Sequence, residues 1–370
     1  MLDNVRLSKI REILEKKKLD AIIITSASNI SYFTRIKTIG DASMILYLSK
    51  EGTTRLYVPV LEYYRLLEET RGLSNIEVYA VSKHMRIDGR QFHGTFIDLL
   101  KRINERHEKI GVDASTSPAG FKIKEMFGDK AVDITEDLWS IRMIKDDKEL
   151  ELIKKAISAT KRGIEALADY VNEKITDTEL AGIFEHRVRI DGIEEYAFPP
   201  LILLKPENSY PHNLPVGRRV GKKNLILVDV GVKYRGYCSD ITRMITWGRP
   251  LSEERKALEV LVEAINNVID KAEPYMKGSD IDSIARNTLA RHGLDKYFIH
   301  GLGHGLGIDV HEPPYLSPGY DRQIKPGMVF TIEPGIYIPG KYGVRIEEDA
   351  VMTNKGIKLL SRGFERILSL

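Results

Sequence analysis

Four carboxylates of this chain stand in segments that otherwise read as the apolar interior of a β-sheet. Residues 225–232, LILVDVGV, form a strand-like run interrupted by Asp229, and after KYRG a second run, YCSDITRMITW at 237–247, carries Asp240. A hairpin centred between Tyr234 and Arg235 sets Asp229 opposite Asp240. Two carboxylates facing one another across a ladder repel, and among Val, Ile and Leu their desolvation is severe unless a cation neutralises them. Either Asp taken alone could instead point to solvent or pair with Arg243. A second hairpin narrows the choice: MVFTIEPGIYI (328–338) and YGVRIEEDAVMT (342–353) flank Gly340 and set Glu333 opposite Glu347. Together the four groups carry a charge of −4, which two divalent ions balance and one does not. The natural inference is a dinuclear metal site.

A fifth ligand is expected from an imidazole. Of the nine histidines, His304 lies in HGLGHGLGIDVHEPP (300–314), where flanking glycines let the backbone approach closely and leave the ring unobstructed. One His with four carboxylates is an oxygen-rich set that suits Mn, Co, Fe or Zn. Ions so held lower the pKa of water and polarise a carbonyl, the requirements of amide hydrolysis. No G-x-S-x-G elbow is present, and the single cysteine, Cys238, can form neither an intrachain disulfide nor a thiolate zinc site. Nothing ties a base to it, so the expected nucleophile is water.

The N-terminal third has another pattern. Residues 4–18 have the spacing of an amphipathic helix, and strand-like runs follow at 21–25, 44–48, 54–60 and 76–81, with helical stretches around 61–69 and 94–106. This predicts a small α/β domain over 1–140. Long helices at 147–172, 177–191, 252–272 and 278–292 alternate with paired strands over 141–370 and predict an α+β domain. Lys and Arg number 56 against 53 Asp and Glu, so charge gives no reason to expect nucleic acid or an anionic membrane as partner. No apolar run approaches the ~20 residues of a membrane span, and the charged first segment does not read as a secretory signal. A cytoplasmic location is expected.

DVGVKYRGYCSDITR, HGLGHGLGIDVHEPP, TIEPGIY and GVRIEED together resemble the prolidase and Xaa-Pro aminopeptidase branch of the pita-bread metallopeptidases. The resemblance covers nearly the whole chain. It implies an α+β fold with a C-terminal pita-bread catalytic domain behind a smaller creatinase-like α/β domain, and hydrolysis of Xaa-Pro bonds in small peptides. Asp240 and Glu347 would bridge two divalent ions, Asp229 completing one and His304 and Glu333 the other. Glu333 would also shuttle a proton, His311 would hydrogen-bond the scissile carbonyl oxygen, and His212 would lie near the substrate nitrogen. Arg345 would support the ligands from behind, and His300 would line the pocket. Relatives with this plan are commonly homodimers, with the loop at 33–43 a candidate contact.

Three positions depart from the family's usual pattern. Lys205 stands where relatives have Gly, and Glu348 where they have Asp or Asn. Tyr315 stands where dipeptide-specific relatives often place an Arg for the substrate carboxylate, so that cation is expected from Arg35 or Lys37 of a second subunit. The expected activity is Xaa-Pro dipeptidase, with an Xaa-Pro aminopeptidase as the alternative. A binding scaffold without activity is the contrasting class, and retention of all five ligands argues against it.

Overall fold

The computed structural model describes residues 2–37, 43–71 and 75–370, with side chains from Arg6 onward. Contacts divide the chain into two compact units, Met1–Arg142 and Met143–Leu370. Among the described residues, no helix is long and apolar enough to cross a membrane.

In the first unit the AIII run forms β1 (Ala21–Ile24), and all four side chains are buried, as a strand covered on both faces requires. It pairs antiparallel with β2 (Ile45–Ser49) and parallel with β6 (Ile110–Val112). With β3 (Thr54–Pro59), β4 (Glu77–Ser82), β5 (Gln91–His93) and β7 (Ala131–Asp133) they make one seven-stranded sheet in the order β5-β4-β3-β2-β1-β6-β7. The strands β5, β6 and β7 have three residues each, too few for a readable alternation, and the sequence reading missed them. Among the described residues, six α-helices belong to this part of the chain: α1 (Leu2–Lys16), α2 (Ala27–Thr34), α3 (Val60–Glu69), α4 (Phe96–Arg106), α5 (Pro118–Phe127) and α6 (Thr135–Met143). Their ends follow local chemistry. Thr95 and Asp98 form a reciprocal capping box on α4, and Ser117 caps α5 ahead of Pro118.

The second unit begins with two mutually packed helices, α7 (Asp147–Ala168) and α8 (Asp177–Ile190). A capping box between Asp146 and Glu149 starts α7. The strands β8 (Glu195–Tyr196), β9 (Leu201–Leu203), β10 (Asn224–Val230), β11 (Val232–Tyr234), β12 (Tyr237–Cys238) and β13 (Ile241–Trp247) follow. After α9 (Ser252–Lys271) and α10 (Gly278–Arg291) come β14 (Gly303–Gly305), β15 (Glu312–Leu316), β16 (Val329–Ile332), β17 (Gly335–Ile338), β18 (Tyr342–Arg345), β19 (Glu348–Thr353), β20 (Gly356–Leu359) and β21 (Ile367–Ser369). Two larger sheets, β21-β13-β10-β9 and β15-β14-β16-β19-β20, accompany the small β12-β11-β8 and β17-β18 pieces. Leu258, Leu261, Ile265 and Val268 form a helical stripe on α9. They share one core with Ile281, Ala285 and Leu289 of α10 and with Leu227, Met244, Phe330 and Met352 of the sheets.

The first hairpin corrects the expected register. Tyr234 pairs with Tyr237 and Asp229 with Thr242, so the turn is centred between Arg235 and Gly236, one residue later than expected. Both turn residues have positive φ, 48° and 86°, the backbone of a two-residue hairpin turn that Gly adopts without penalty. Asp229 and Asp240 are therefore diagonal neighbours, not direct partners. The second hairpin has the expected register: Ile332 pairs with Glu348 and Gly335 with Arg345. Glu333 and Glu347 fall at matched positions in the gap between these two ladders.

In the first unit, Asp20 accepts hydrogen bonds from the Lys50 side chain and from the Glu108 and Lys109 amides at 3.0 Å, joining the start of β1 to the approaches of its two neighbours. The Lys50 ammonium, aided by these amides, lowers its pKa from 3.8 to about 2. A carboxylate depressed by folding adds stability above its unfolded pKa and loses it as pH falls through the folded value. Asp20→Asn is thus expected to lower stability at neutral pH and to flatten its loss between pH 3.8 and about 2. Acid unfolding curves for the two proteins test this, and coincident curves would refute it.

Candidate metal centre

Alternation along each strand brings the acidic side chains together. Asp240 and Thr242 are two apart and share a face, which is why Asp240 still converges with Asp229 despite the shifted register. Asp229, Asp240 and Glu347 each offer an oxygen within 4.8 Å of the other two. His304, Glu333 and Glu347 form a second such group, and Asp240, His304 and His311 a third. All five expected ligands thus meet in one place, drawn from the β10–β13 hairpin, from β14, and from the gap between the β16–β19 and β17–β18 ladders.

Asp229, Asp240 and Glu347 are all buried, and burial raises the pKa of each. For Asp240 and Glu347 the neighbouring carboxylates push in the same direction, and both are held well above the ordinary range. Asp229 has a counter-charge: the Arg345 guanidinium donates to its Oδ2 and opposes the effect of burial. Its other oxygen, Oδ1, is buried without a hydrogen-bond partner. Glu333 goes the other way. Burial raises its pKa, but the His304 imidazole 3.2 Å away outweighs that and lowers it to about 2. Burial likewise acts to lower His304, and the bond to Glu333 prevails and raises it.

Neighbouring side chains fix these groups. Thr242 donates to Glu347 Oε2 at 2.7 Å and accepts from Arg345 Nε at 3.1 Å. Thr331 donates to Glu333 Oε1 at 3.1 Å and accepts the His304 amide at the same distance. Arg345 also donates to the Tyr337 hydroxyl, which lies 3.1 Å from His300 Nε2. Asp349 accepts the Asp240 amide at 3.2 Å, and burial raises its pKa to about 8. The sequence reading missed Thr242, Thr331, Tyr337 and Asp349. The period-two rule reaches three of them, since each stands two residues from an expected ligand on the same strand face.

A cavity of about 1190 Å³ opens over the centre. Its lining includes the four carboxylates, Arg345, His212, His300, His304, His311 and Tyr315, with Phe198, Tyr210, Leu214 and Ile299 as apolar wall. The His311 ring stands 4.2 Å from that of His304, and burial lowers its pKa, which favours the neutral imidazole. Arg35 caps α2 in the first unit with φ of 60° and is not among the lining residues. The loop at 33–43 lies partly outside the described residues, at 38–42. Cys238 is buried against Ile308, and burial raises its thiol far above the ordinary range, consistent with an inert packing role. Arg243 pairs with Glu348, not with Asp229 or Asp240.

The donor set suits divalent cations: hard oxygens, one imidazole, a lone buried carboxylate oxygen and an excess of negative charge. The profile of Metallopeptidase family M24 matches residues 151–354, and that of the Creatinase/Prolidase N-terminal domain matches residues 6–144. The chain belongs to the M24 metallopeptidase family. It is 33% identical over 367 residues to the Xaa-Pro dipeptidase of Pyrococcus horikoshii, covering 97% of each chain. The crystal structure of the prolidase from that organism superposes with a TM-score of 0.86 at 31% identity, covering 98% of this chain and 99% of that one. An X-Pro aminopeptidase from Thermotoga maritima superposes at 0.80 and 29% identity, covering 95% and 98%. The M24 unit of the present chain has the pita-bread fold, and the chain is a metal-dependent hydrolase.

In an M24 centre of this charge, a cation should relieve repulsion that the metal-free protein carries. At about a hundredfold excess over Kd, a divalent ion contributes roughly 2.7 kcal/mol, equivalent to about 5–10 °C in Tm for a unit of this size. Calorimetry of metal-free protein with added Mn²⁺ or Co²⁺ is expected to show a rise of that order. In Asp240→Asn and Glu347→Gln, the metal-free Tm should be higher and the rise on adding ion smaller. A Tm indifferent to the ions would exclude a cation site here.

Proposed function

We propose that the chain is a dinuclear metallopeptidase that hydrolyses Xaa-Pro bonds, chiefly of dipeptides. The observation that carries this reading is the convergence of Asp229, Asp240, His304, Glu333 and Glu347 at the floor of a cavity with His311 beside them. The negative charge of four carboxylates supports two divalent ions, which Asp229, Asp240, His304, Glu333 and Glu347 would hold. An Xaa-Pro bond lacks the N–H that enzymes for extended peptides grip, so it needs a site shaped for the ring. The names of the relatives and the apolar wall of Phe198, Leu214 and Ile299 support that substrate class.

Held at these residues, divalent ions supply the Lewis acidity and activated water that amide hydrolysis requires. Glu333, kept ionised by His304 and aligned by Thr331, accepts the proton of the attacking water and returns it to the leaving nitrogen. His311 donates its N–H to the carbonyl oxygen as charge develops there. His212, in the cavity wall, meets the substrate nitrogen. Arg345 favours the charged form of Asp229 against the effect of burial and, through Thr242, holds Glu347 in place.

A dipeptide places a carboxylate beside the bound proline. Among the lining residues there is no lysine, and the one arginine, Arg345, is committed to Asp229, Tyr337 and Thr242. The dipeptidase reading therefore calls for a homodimer in which Arg35 or Lys37 of a second copy supplies the cation. One observation favours the second reading, an Xaa-Pro aminopeptidase. The cavity, at about 1190 Å³, exceeds the roughly 300–1,000 Å³ that small ligands fill and has room beyond a dipeptide.

Kinetics with Xaa-Pro and Xaa-Pro-Yaa, side by side with Mn²⁺ or Co²⁺, separate the two. Dipeptides are expected to give the higher kcat/KM, and Arg35→Ala or Lys37→Ala to raise KM for dipeptides selectively. Equal or better cleavage of tripeptides would move the assignment to the aminopeptidase.

His311→Ala is expected to keep its metal and lose about 10²–10³ in kcat, the cost of one removed oxyanion donor. Unchanged turnover would remove His311 from the mechanism.

A further inference from the structure

His304 lies within β14, paired with Tyr315 of β15, and His311 closes the turn that follows, just ahead of β15, so the shape of that turn sets the spacing and angle of the two rings, 4.2 Å and 65°. Behind it, Lys145 Nζ donates to Glu312 Oε1 at 2.9 Å, and both side chains are 1% exposed. Neither residue lines the cavity. The Lys145 backbone is itself anchored: its amide donates to Gly327 O at 2.9 Å, and Ile144 bridges to Met328 just ahead of β16. The Asp309 amide, inside the turn, donates to the other Glu312 oxygen at 3.4 Å. The pair also leaves no room at Gly307, where a Cβ would lie 2.6 Å from Glu312 Oε1 and 3.2 Å from Lys145 Cε.

A buried ion pair adds little net stability over well-packed apolar residues of similar size, because desolvation consumes most of the attraction. What it adds is a fixed length and direction between two segments distant in sequence. We propose that Lys145 and Glu312 are positioning residues: their ion pair ties the turn between His304 and His311 to the segment entering α7 and thereby holds His311 at its working distance from His304. This rests on the peptidase reading above only for its choice of substrate.

Removing one partner would strand a buried charge, so the informative variant is Lys145→Met with Glu312→Gln together. This double variant is expected to keep the parent's Tm within a few degrees and its metal content, and to lose at least about tenfold in kcat with little change in KM, since displacements near 1 Å can cost on the order of 10² in rate. In metal-free protein with labelled histidines, the His304 and His311 ring resonances should shift, which a purely stabilising pair would not cause. Glu312→Asp keeps both charges but shortens the arm by one methylene, and it should show the same kcat loss and the same shifts if the double variant fails to fold. Parent-level turnover with unmoved His resonances, in either variant, would overturn the proposal. An inactive parent would instead refute the substrate assignment, leaving the resonances to test the pair.

Discussion

The second unit is organised around the mutual repulsion of carboxylates held out of water. Asp240 and Glu347 are each raised by burial and by their acidic neighbours, and a single guanidinium, that of Arg345, faces the group from within. A second arginine works from the other side. Arg243, fully buried and stacked on Phe364, donates to the backbone oxygen of Glu347 and to the Glu348 carboxylate at 3.0 Å. Glu347 is therefore gripped twice, at its side chain through Thr242 and at its main chain through Arg243. Groups so constrained cannot swing apart to relieve their repulsion, which makes the cluster a preorganised receptor for positive charge.

Glu348 fits the same scheme. Its carboxylate collects Arg243, Arg366 and Ser361. These partners satisfy its buried charge. Lys205, another departure, pairs with the buried Glu254 at the start of α9.

Most of this architecture was legible from the chain because burying a carboxylate in a strand is costly enough to demand a reason. The long helices were legible from their apolar stripes and acidic first turns, and the second hairpin from its pairing around Gly340. What escaped was finer. The first hairpin was misregistered because its turn uses Gly236 as the second of two left-handed residues, and a period-two pattern alone does not reveal where a turn is centred. The three-residue strands β5 to β7 are set by pairing with long neighbours, a tertiary effect absent from local sequence. The ion pair of Lys145 and Glu312 joins residues 167 positions apart, and nothing near either one announces the other.

The centre also draws on widely separated parts of the chain, from Asp229 to Glu347, with no two of its five residues closer together in sequence than eleven positions. Unlike a zinc finger, whose paired ligands lie a few residues apart and can nucleate the fold around the ion, no short segment here can hold a cation by itself. A cation held by these five residues would therefore load late: the sheets must first come together against the carboxylates' own repulsion. The chain's other contacts, above all the apolar core shared by α9, α10 and the two larger sheets, must supply that work before any metal arrives to help.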